Sequence, residues 1–306
     1  MSNQSPIGFE QFWNDIDKDL ASTPIAPEVE HIPMRSTEAV DLYGVHLTSV
    51  GPYRLFAYLS IPKGPGPFPA IYYVPKNGSV HEIIPQGTAT GIRERYLTFS
   101  IASRGMRNSD RPYAAMFPGQ LTDGLETSDS YVYRGIAADA LRGLEYLVTR
   151  PEVDKSRIVA WGNDNALLAA ARRSEITHVV STPAYLLDTV EHAVKTSSYP
   201  LAEFSDYLRL YPERTDEVKA TLAMYNLRWH ASSINTETLL RANHEGGIYS
   251  PKVLANLEKN ISGNVAVHES EQSSFKDGLF AEKWLTQKII GPNAIPIVPE
   301  HWQSYV

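Results

Sequence analysis

Apolar residues recur along this chain with two periods, and the two periods alternate. Phe9, Phe12, Trp13, Ile16 and Leu20 follow a helical spacing, which predicts an amphipathic N-terminal helix over about residues 8–22. Short runs rich in Val, Ile and aromatic residues predict strands at 45–61 (two segments around a turn), 70–74, 96–102, 157–161, 177–181, 237–242 and 264–268. Helical patterns lie between them at 131–149, 166–171, 251–257 and about 280–289. This alternation predicts an α/β protein with a mostly parallel central sheet and helices on both faces.

The spacing of these elements predicts the domain organisation. All 306 residues fit one α/β domain, residues 1–306, with enough chain to bury a substantial core. Residues 183–234 are rich in helical patterns and contain no strand candidate, so we expect a helical insertion there. A long polar, Gly- and Pro-rich segment follows Arg104-Gly105 and runs to about residue 129. Connections of this length are commonly functional or involved in contacts.

Charge and cysteine content exclude several classes of function. The net charge is −7 and no basic run occurs, which argues against a nucleic-acid partner or an anionic membrane. The chain has no cysteine, so disulfides and thiolate chemistry are excluded. No run of about 18 apolar residues occurs, and the N-terminus lacks the pattern of a signal peptide. We therefore expect a cytoplasmic protein, and no pattern in the sequence predicts a cofactor.

The stretch 157–173 carries the most specific chemical signal. A short β-rich run ends at Gly162, and an alanine- and leucine-rich helical pattern follows, so the sequence predicts strand, tight turn and helix. The turn reads Gly-Asn-Asp-Asn-Ala and places Asp164 where a G-x-S-x-G turn carries its nucleophilic serine. Asp164 has two interpretations. It is a turn residue that hydrogen-bonds its own backbone, or a carboxylate nucleophile whose ester intermediate is hydrolysed with help from a histidine such as His268 or His244.

Several further motifs carry a resemblance to a known family. They are Phe-Glu-Gln-Phe-Trp at 9–13, Gly-Pro-Phe-Pro-Ala at 66–70, Arg-Gly at 104–105, Tyr-Val-Tyr-Arg at 131–134, Pro-Glu-Val-Asp-Lys-Ser-Arg-Ile at 151–158 and Asp-Tyr-Leu-Arg at 206–209. In this order and spacing the sequence resembles the acetyl xylan esterases and cephalosporin C deacetylases of the α/β-hydrolase superfamily. The resemblance implies an α/β-hydrolase fold, a homo-oligomer, and deacetylation of acetylated sugars and small esters by a Ser-His-Asp triad with an oxyanion hole.

The family's catalytic positions fall on different residue types in this chain. The resemblance places the nucleophile at Asp164, the triad Asp at or beside Gly246, and the triad His near Ser273. The oxyanion-hole residue falls near Asn77. Asn165 follows Asp164 in the turn at residues 162–166, which we call the elbow. We take Asn77 and Asn165 as candidate substrate-binding residues. We therefore predict a relative that is degenerate as a serine esterase and that binds a small carbohydrate or ester, or serves as a structural partner. The alternative is a hydrolase with altered chemistry, which uses Asp164 as nucleophile or non-standard esterase residues.

The remaining histidines and tyrosines predict no second catalytic centre. The other histidines are scattered, and no pair has metal-ligand spacing, so we predict no metal site. The predicted insertion contains five tyrosines that could wall a sugar pocket or pack in the core: Tyr185, Tyr199, Tyr207, Tyr211 and Tyr225.

Overall fold

A computed structural model of the protein describes residues 4–76, 90–109, 115–299, 302 and 304. Within these residues nine strands form one sheet in the order β1-β2-β3-β5-β4-β6-β7-β8-β9. The strands are β1 (Glu28–His31), β2 (Val40–Ser49), β3 (Tyr53–Pro62), β4 (Phe68–Tyr73), β5 (Leu97–Ala102), β6 (Val153–Gly162), β7 (His178–Ser181), β8 (Glu237–Ala242) and β9 (Val265–Glu269).

The sheet is mostly parallel, as the sequence predicts. The pairs β1/β2, β2/β3 and β3/β5 are antiparallel. The strands β5, β4, β6, β7, β8 and β9 run parallel to one another. A short turn joins β2 to β3, whereas parallel neighbours require crossover connections, which here contain the helices. The edge strand β1 is absent from the sequence prediction, because its four residues are exposed and show no apolar alternation.

Ten α-helices occur in the described part of the chain. They are α1 (Phe9–Ser22), α2 (Thr90–Arg95), α3 (Val132–Leu147), α4 (Asp164–Arg172), α5 (Thr189–Ala193), α6 (Leu201–Leu210), α7 (Thr215–Ala223), α8 (Leu227–His230), α9 (Pro251–Asn260) and α10 (Ser274–Ile289). Helices α5 to α8 lie between β7 and β8, in the region of the predicted insertion. Two helices begin earlier than the sequence predicts: α4 at Asp164 and α10 at Ser274.

Helices cover both faces of the sheet. The larger apolar cluster joins the sheet to α1, α3, α4 and the helices of the insertion, and α9 packs there through Leu254 and Leu257. The smaller cluster joins the opposite face to α10 through Ala281, Trp284 and Leu285. On the first face the indole N–H of Trp13 in α1 donates to the carbonyl of Met224 at 3.0 Å, which anchors α1 to the insertion. None of the described helices combines the length and apolarity needed to cross a lipid bilayer.

Candidate functional site

The stretch predicted as strand, turn and helix forms the end of β6, a tight turn and α4, and the turn lies at the carboxyl edge of the sheet. β6 ends at Gly162 and α4 begins at Asp164, with Asn163 as the N-cap residue. Asn163 has φ −111° and ψ −139°, and its side chain accepts a hydrogen bond from the Asn165 N–H. None of the residues 163–165 has a positive φ. The turn therefore lacks the strained conformation of a nucleophile elbow, and it reaches this geometry by N-capping.

The hydrogen bonds of the Asp164 side chain extend beyond its own turn, to which the first interpretation confines them. Its side chain is 0% exposed and reaches the loop between β7 and α5. One carboxylate oxygen accepts the N–H of Ala184 at 3.0 Å, and the other accepts the N–H of Leu186 at 3.0 Å and that of Tyr185 at 3.4 Å. The interpretation as a local turn residue is incomplete, because backbone N–H groups some twenty residues away supply donors in addition to the N–H of Asp164 itself. Residues 184–186, which we call the clamp loop, are fixed to the elbow in this way.

Burial and hydrogen bonding act on the Asp164 carboxyl group in opposite directions. Burial raises its pKa to about 6, because the ionised form loses contact with water. The N–H groups of Leu186, Asp164 itself, Ala184 and Tyr185 lower the pKa, because they stabilise the negative charge, but they do not cancel the burial effect. At neutral pH the group is mostly ionised, and its charge is compensated by backbone dipoles.

Asn165, a predicted substrate-binding residue, has its side chain inside the protein. It is 1% exposed, and its amide nitrogen donates to the carbonyl of Pro75 at 2.8 Å. Its amide oxygen accepts a short hydrogen bond from the hydroxyl of Tyr133. The Tyr133 hydroxyl also lies 2.8 Å from that of Tyr185, a clamp-loop residue. The side chain thus joins the elbow to buried tyrosines. The other predicted substrate-binding residue, Asn77, lies outside the described residues.

The backbone N–H of Asn165 already has a partner. In α/β-hydrolases the N–H after the nucleophile is one of the two oxyanion-hole donors. Here it points to the side-chain oxygen of Asn163 at 3.4 Å. A substrate oxyanion would have to displace this contact.

The two positions that the resemblance assigns to the triad Asp and His lie on the loops that follow β8 and β9. Gly246 occupies an exposed turn between β8 and α9 with φ +89°, a conformation that favours glycine. A side chain added there would meet nothing within 4 Å. Ser273 is the N-cap of α10, and its hydroxyl accepts the N–H of Lys276 at 3.3 Å. Neither residue has a hydrogen bond to Asp164 in the described structure, so the elbow, Gly246 and Ser273 do not form a catalytic constellation.

His268, the alternative base, lies near the end of β9 and is directed toward α10. Its Nε2 lies 2.8 Å from an oxygen of Asp277, and its ring stacks on Phe280 at 4.1 Å between centroids. Burial raises the pKa of Asp277, but hydrogen bonds from Ser270, the Glu271 N–H and His268 outweigh it and leave this pKa below its ordinary value. Because α10 covers the face of the sheet opposite to α4, His268 is not brought to Asp164.

The second candidate base, His244, is exposed, and its Nδ1 lies 2.6 Å from the carbonyl of Glu245. In the described ranges no three His, Cys, Asp or Glu side chains come together as a metal site would require.

The clamp loop is the functional feature that sequence reasoning misses. Its donors are main-chain N–H groups, which any residue type provides. One signal was available: the loop follows the strand predicted at 177–181, and the carboxyl ends of neighbouring parallel strands meet at one edge, where ligands commonly bind. Tyr249 closes the same region from the β8 side, and its hydroxyl donates to the carbonyl of Leu187 at 3.1 Å.

Comparison of the sequence with known proteins assigns the chain to a family. The family model for acetyl xylan esterases matches residues 1–261. The chain belongs to the acetyl xylan esterase family. It is 20% identical over 261 residues to the acetyl esterase Axe7A of Xylanibacter ruminicola, a match that covers 81% of this chain and 58% of that protein. The chain thus spans little more than half the length of this relative.

Solved structures establish the fold. An acetyl xylan esterase from Paenibacillus sp. R4 matches with a TM-score of 0.79 and 22% identity, over 89% of this chain and 90% of that one. Acetyl xylan esterase 1 from Thermoanaerobacterium sp. JW/SL YS485 matches with a TM-score of 0.76 and 20% identity, over 88% of each chain. At this identity the likeness shows the fold alone, and the predicted α/β-hydrolase fold is confirmed.

Proposed function

We propose that this member of the acetyl xylan esterase family does not use the serine-esterase mechanism and acts as a non-catalytic binding protein for a small carbohydrate or ester. The observation that carries the proposal is the environment of Asp164. Its carboxylate stands at the nucleophile position, is fully buried, and accepts three N–H groups of the clamp loop. A side chain used in this way holds the loop closed against the elbow.

The chemistry of acyl transfer supports this proposal. A nucleophile requires a base within about 2.6–3.2 Å and free access to the substrate carbonyl. Both oxygens of Asp164 are already hydrogen-bonded, and no described histidine side chain bonds to it. The adjacent Asn165 N–H, the expected oxyanion-hole donor, faces Asn163.

An altered hydrolase with Asp164 as nucleophile is the alternative, and the same contacts disfavour it. That mechanism needs a histidine to activate the water that cleaves the ester intermediate. His268 is hydrogen-bonded to Asp277 on the opposite face of the sheet. We further propose that the protein forms a homo-oligomer, as the family resemblance implies.

Hydrolysis of p-nitrophenyl acetate tests the proposal. We expect the wild-type protein and Asp164→Ala to show the same slow rate, linear in substrate and without saturation, whereas a working esterase would exceed the background by about a millionfold or more. The absorbance of released p-nitrophenolate, followed over a range of substrate concentrations, gives both rates. Saturation kinetics lost in Asp164→Ala would establish the altered hydrolase, and saturation kinetics retained in it would reveal a different nucleophile. Either result overturns the proposal.

A further inference from the structure

Two cavities adjoin each other in the helical layer beside α8, away from the elbow. One has a volume of about 290 Å³ and lies between α5 and α7. The other has a volume of about 580 Å³ and lies between the start of α1 and the end of α9. Arg228 and Trp229 line both, so we call the pair the Trp229 cavities. Small-molecule sites commonly have volumes of about 300–1,000 Å³, and the two together fall within that range.

Trp229 supplies an aromatic wall that both cavities share, beside Val190, Leu222 and Ala223 in the smaller cavity and Phe9 in the larger. Its side chain is partly buried against the larger apolar cluster, which fixes the ring in place. In the described part of the chain its indole N–H has no hydrogen-bond acceptor. Tryptophan combines a flat apolar surface with one donor, and it suits ligands that present an apolar face and hydroxyl groups together.

Hydroxyl, amide and charged side chains surround this ring, and the charges nearly balance. The smaller cavity pairs Asp188 and Glu191 with Lys219 and Arg228. The larger cavity is lined by Glu10, Lys259 and the uncharged Ser232, Ser233, Asn256 and Asn260. A site for a strongly charged ligand would carry a clear excess of the opposite charge. The mixture of donors and acceptors instead fits a neutral ligand with many hydroxyl groups.

Arg228, which lines both cavities, is held in place before any ligand binds. Its guanidinium forms an ion pair with Asp188 at 2.5 Å, and the other Asp188 oxygen accepts the amide N–H of Asn226 at 3.0 Å. Asp188 adopts a left-handed conformation with φ 48° and ψ 49°. Such backbone conformations cost energy and persist where the surrounding contacts enforce them. Fixing a binding group in advance lowers the entropy lost on association.

We propose that the Trp229 cavities bind one neutral oligosaccharide, with consecutive sugar rings in the two cavities and one ring packed on the Trp229 indole. Two adjoining cavities that share one aromatic wall favour a chain of rings over a single ring. This inference deepens the carbohydrate-binding part of the proposed function, because it names a site and a ligand class, but it does not depend on the chemistry of Asp164, which lines neither cavity.

Isothermal titration calorimetry with four probes tests the site. The neutral probes are the tetrasaccharides of β-1,4-linked xylose, β-1,4-linked glucose and α-1,4-linked glucose, which distinguish the possible sources of the ligand. The fourth probe is tetragalacturonate, an anionic control. We expect at least one neutral tetrasaccharide to bind at a single site, and tetragalacturonate to bind more weakly.

Variants assign the binding to the cavities. Trp229→Ala should weaken the neutral tetrasaccharide at least about tenfold, because it removes the stacking surface, whereas Trp229→Phe should retain most of the affinity. Tyr211→Ala is the matched control, because Tyr211 is an aromatic residue of the same insertion that is 38% exposed and lines neither cavity. If Trp229→Ala does not fold, the exposed cavity residues Lys219 and Asn256 provide the alanine variants, which should each weaken binding.

Three results would overturn this proposal. They are no binding of any neutral tetrasaccharide to the wild-type protein, tighter binding of tetragalacturonate, and binding that the cavity variants leave unchanged. Ester hydrolysis is measured separately, so a failure here is distinguishable from a failure of the proposed function.

Discussion

At the scale of single residues, Asp164 is matched to its surroundings by hydrogen-bonding capacity. An ionised carboxylate only accepts hydrogen bonds and offers two oxygens, and the clamp loop presents three N–H donors to it. A serine hydroxyl at this position has a single oxygen, and it would leave buried N–H groups without acceptors. The carboxylate at position 164 therefore supplies the acceptors that hold the clamp loop.

The raised pKa of Asp164 predicts how stability depends on pH. The folded-state pKa of about 6 exceeds the ordinary value of 3.8, so the folded protein holds this proton more tightly than the unfolded chain. A difference of about 2 corresponds to about 3 kcal/mol. The Asp164 contribution to stability is fully present below about pH 4 and is lost as the pH rises through about 6.

Chemical denaturation of wild type and Asp164→Asn at pH 4, 5, 6 and 7 measures this effect. Asparagine does not titrate, and the other ionisable groups are common to both proteins. The free energy of unfolding of wild type minus that of the variant should therefore fall by about 2 kcal/mol from pH 4 to pH 7. A difference that stays constant with pH would contradict the raised pKa.

At the scale of elements, the sequence predicted most helices and strands but not the contacts between them. The strand predicted at residues 237–242 is observed as β8, Glu237–Ala242, because a short apolar run is a local feature of the sequence. The partners of Asp164 were not predictable in this way, since backbone N–H groups leave no mark in the residue types that carry them. At residues 162–166 the sequence predicts a tight turn before a helix that starts at 166, whereas the structure uses Asn163 as a helix N-cap and starts the helix at Asp164.

The clamp loop gives a prediction at this scale. In Asp164→Ala the amides of Ala184 and Leu186 lose their acceptor, so their hydrogen exchange should accelerate about two- to tenfold, which corresponds to a hydrogen bond worth about 0.5–1.5 kcal/mol. Exchange mass spectrometry of a peptide spanning residues 183–188 measures this change. A peptide from β6 serves as the internal control for global unfolding. Equal acceleration of both peptides would show that Asp164 stabilises the whole domain and does not specifically hold the loop.

At the scale of the whole molecule, the two faces of the sheet keep the titratable groups apart. Asp164 and the clamp loop lie on the face covered by α4, and His268 is directed to the face covered by α10. The sequence placed His268 at the end of the last strand, but it could not assign the face. Side chains alternate along a strand, so a shift of one residue in register moves every side chain to the other face.

This separation predicts the outcome of restoring the nucleophile. Asp164→Ser alone should not create an esterase, because a serine hydroxyl needs a base within about 2.6–3.2 Å to become nucleophilic. The candidate base at the end of the last strand, His268, is hydrogen-bonded to Asp277 at 2.8 Å and stacked on Phe280. We expect p-nitrophenyl acetate hydrolysis by Asp164→Ser to equal that of Asp164→Ala, which controls for loss of the carboxylate. Saturation kinetics in the serine variant alone would mean that a histidine does reach the elbow, and that the two faces of the sheet do not separate base from nucleophile.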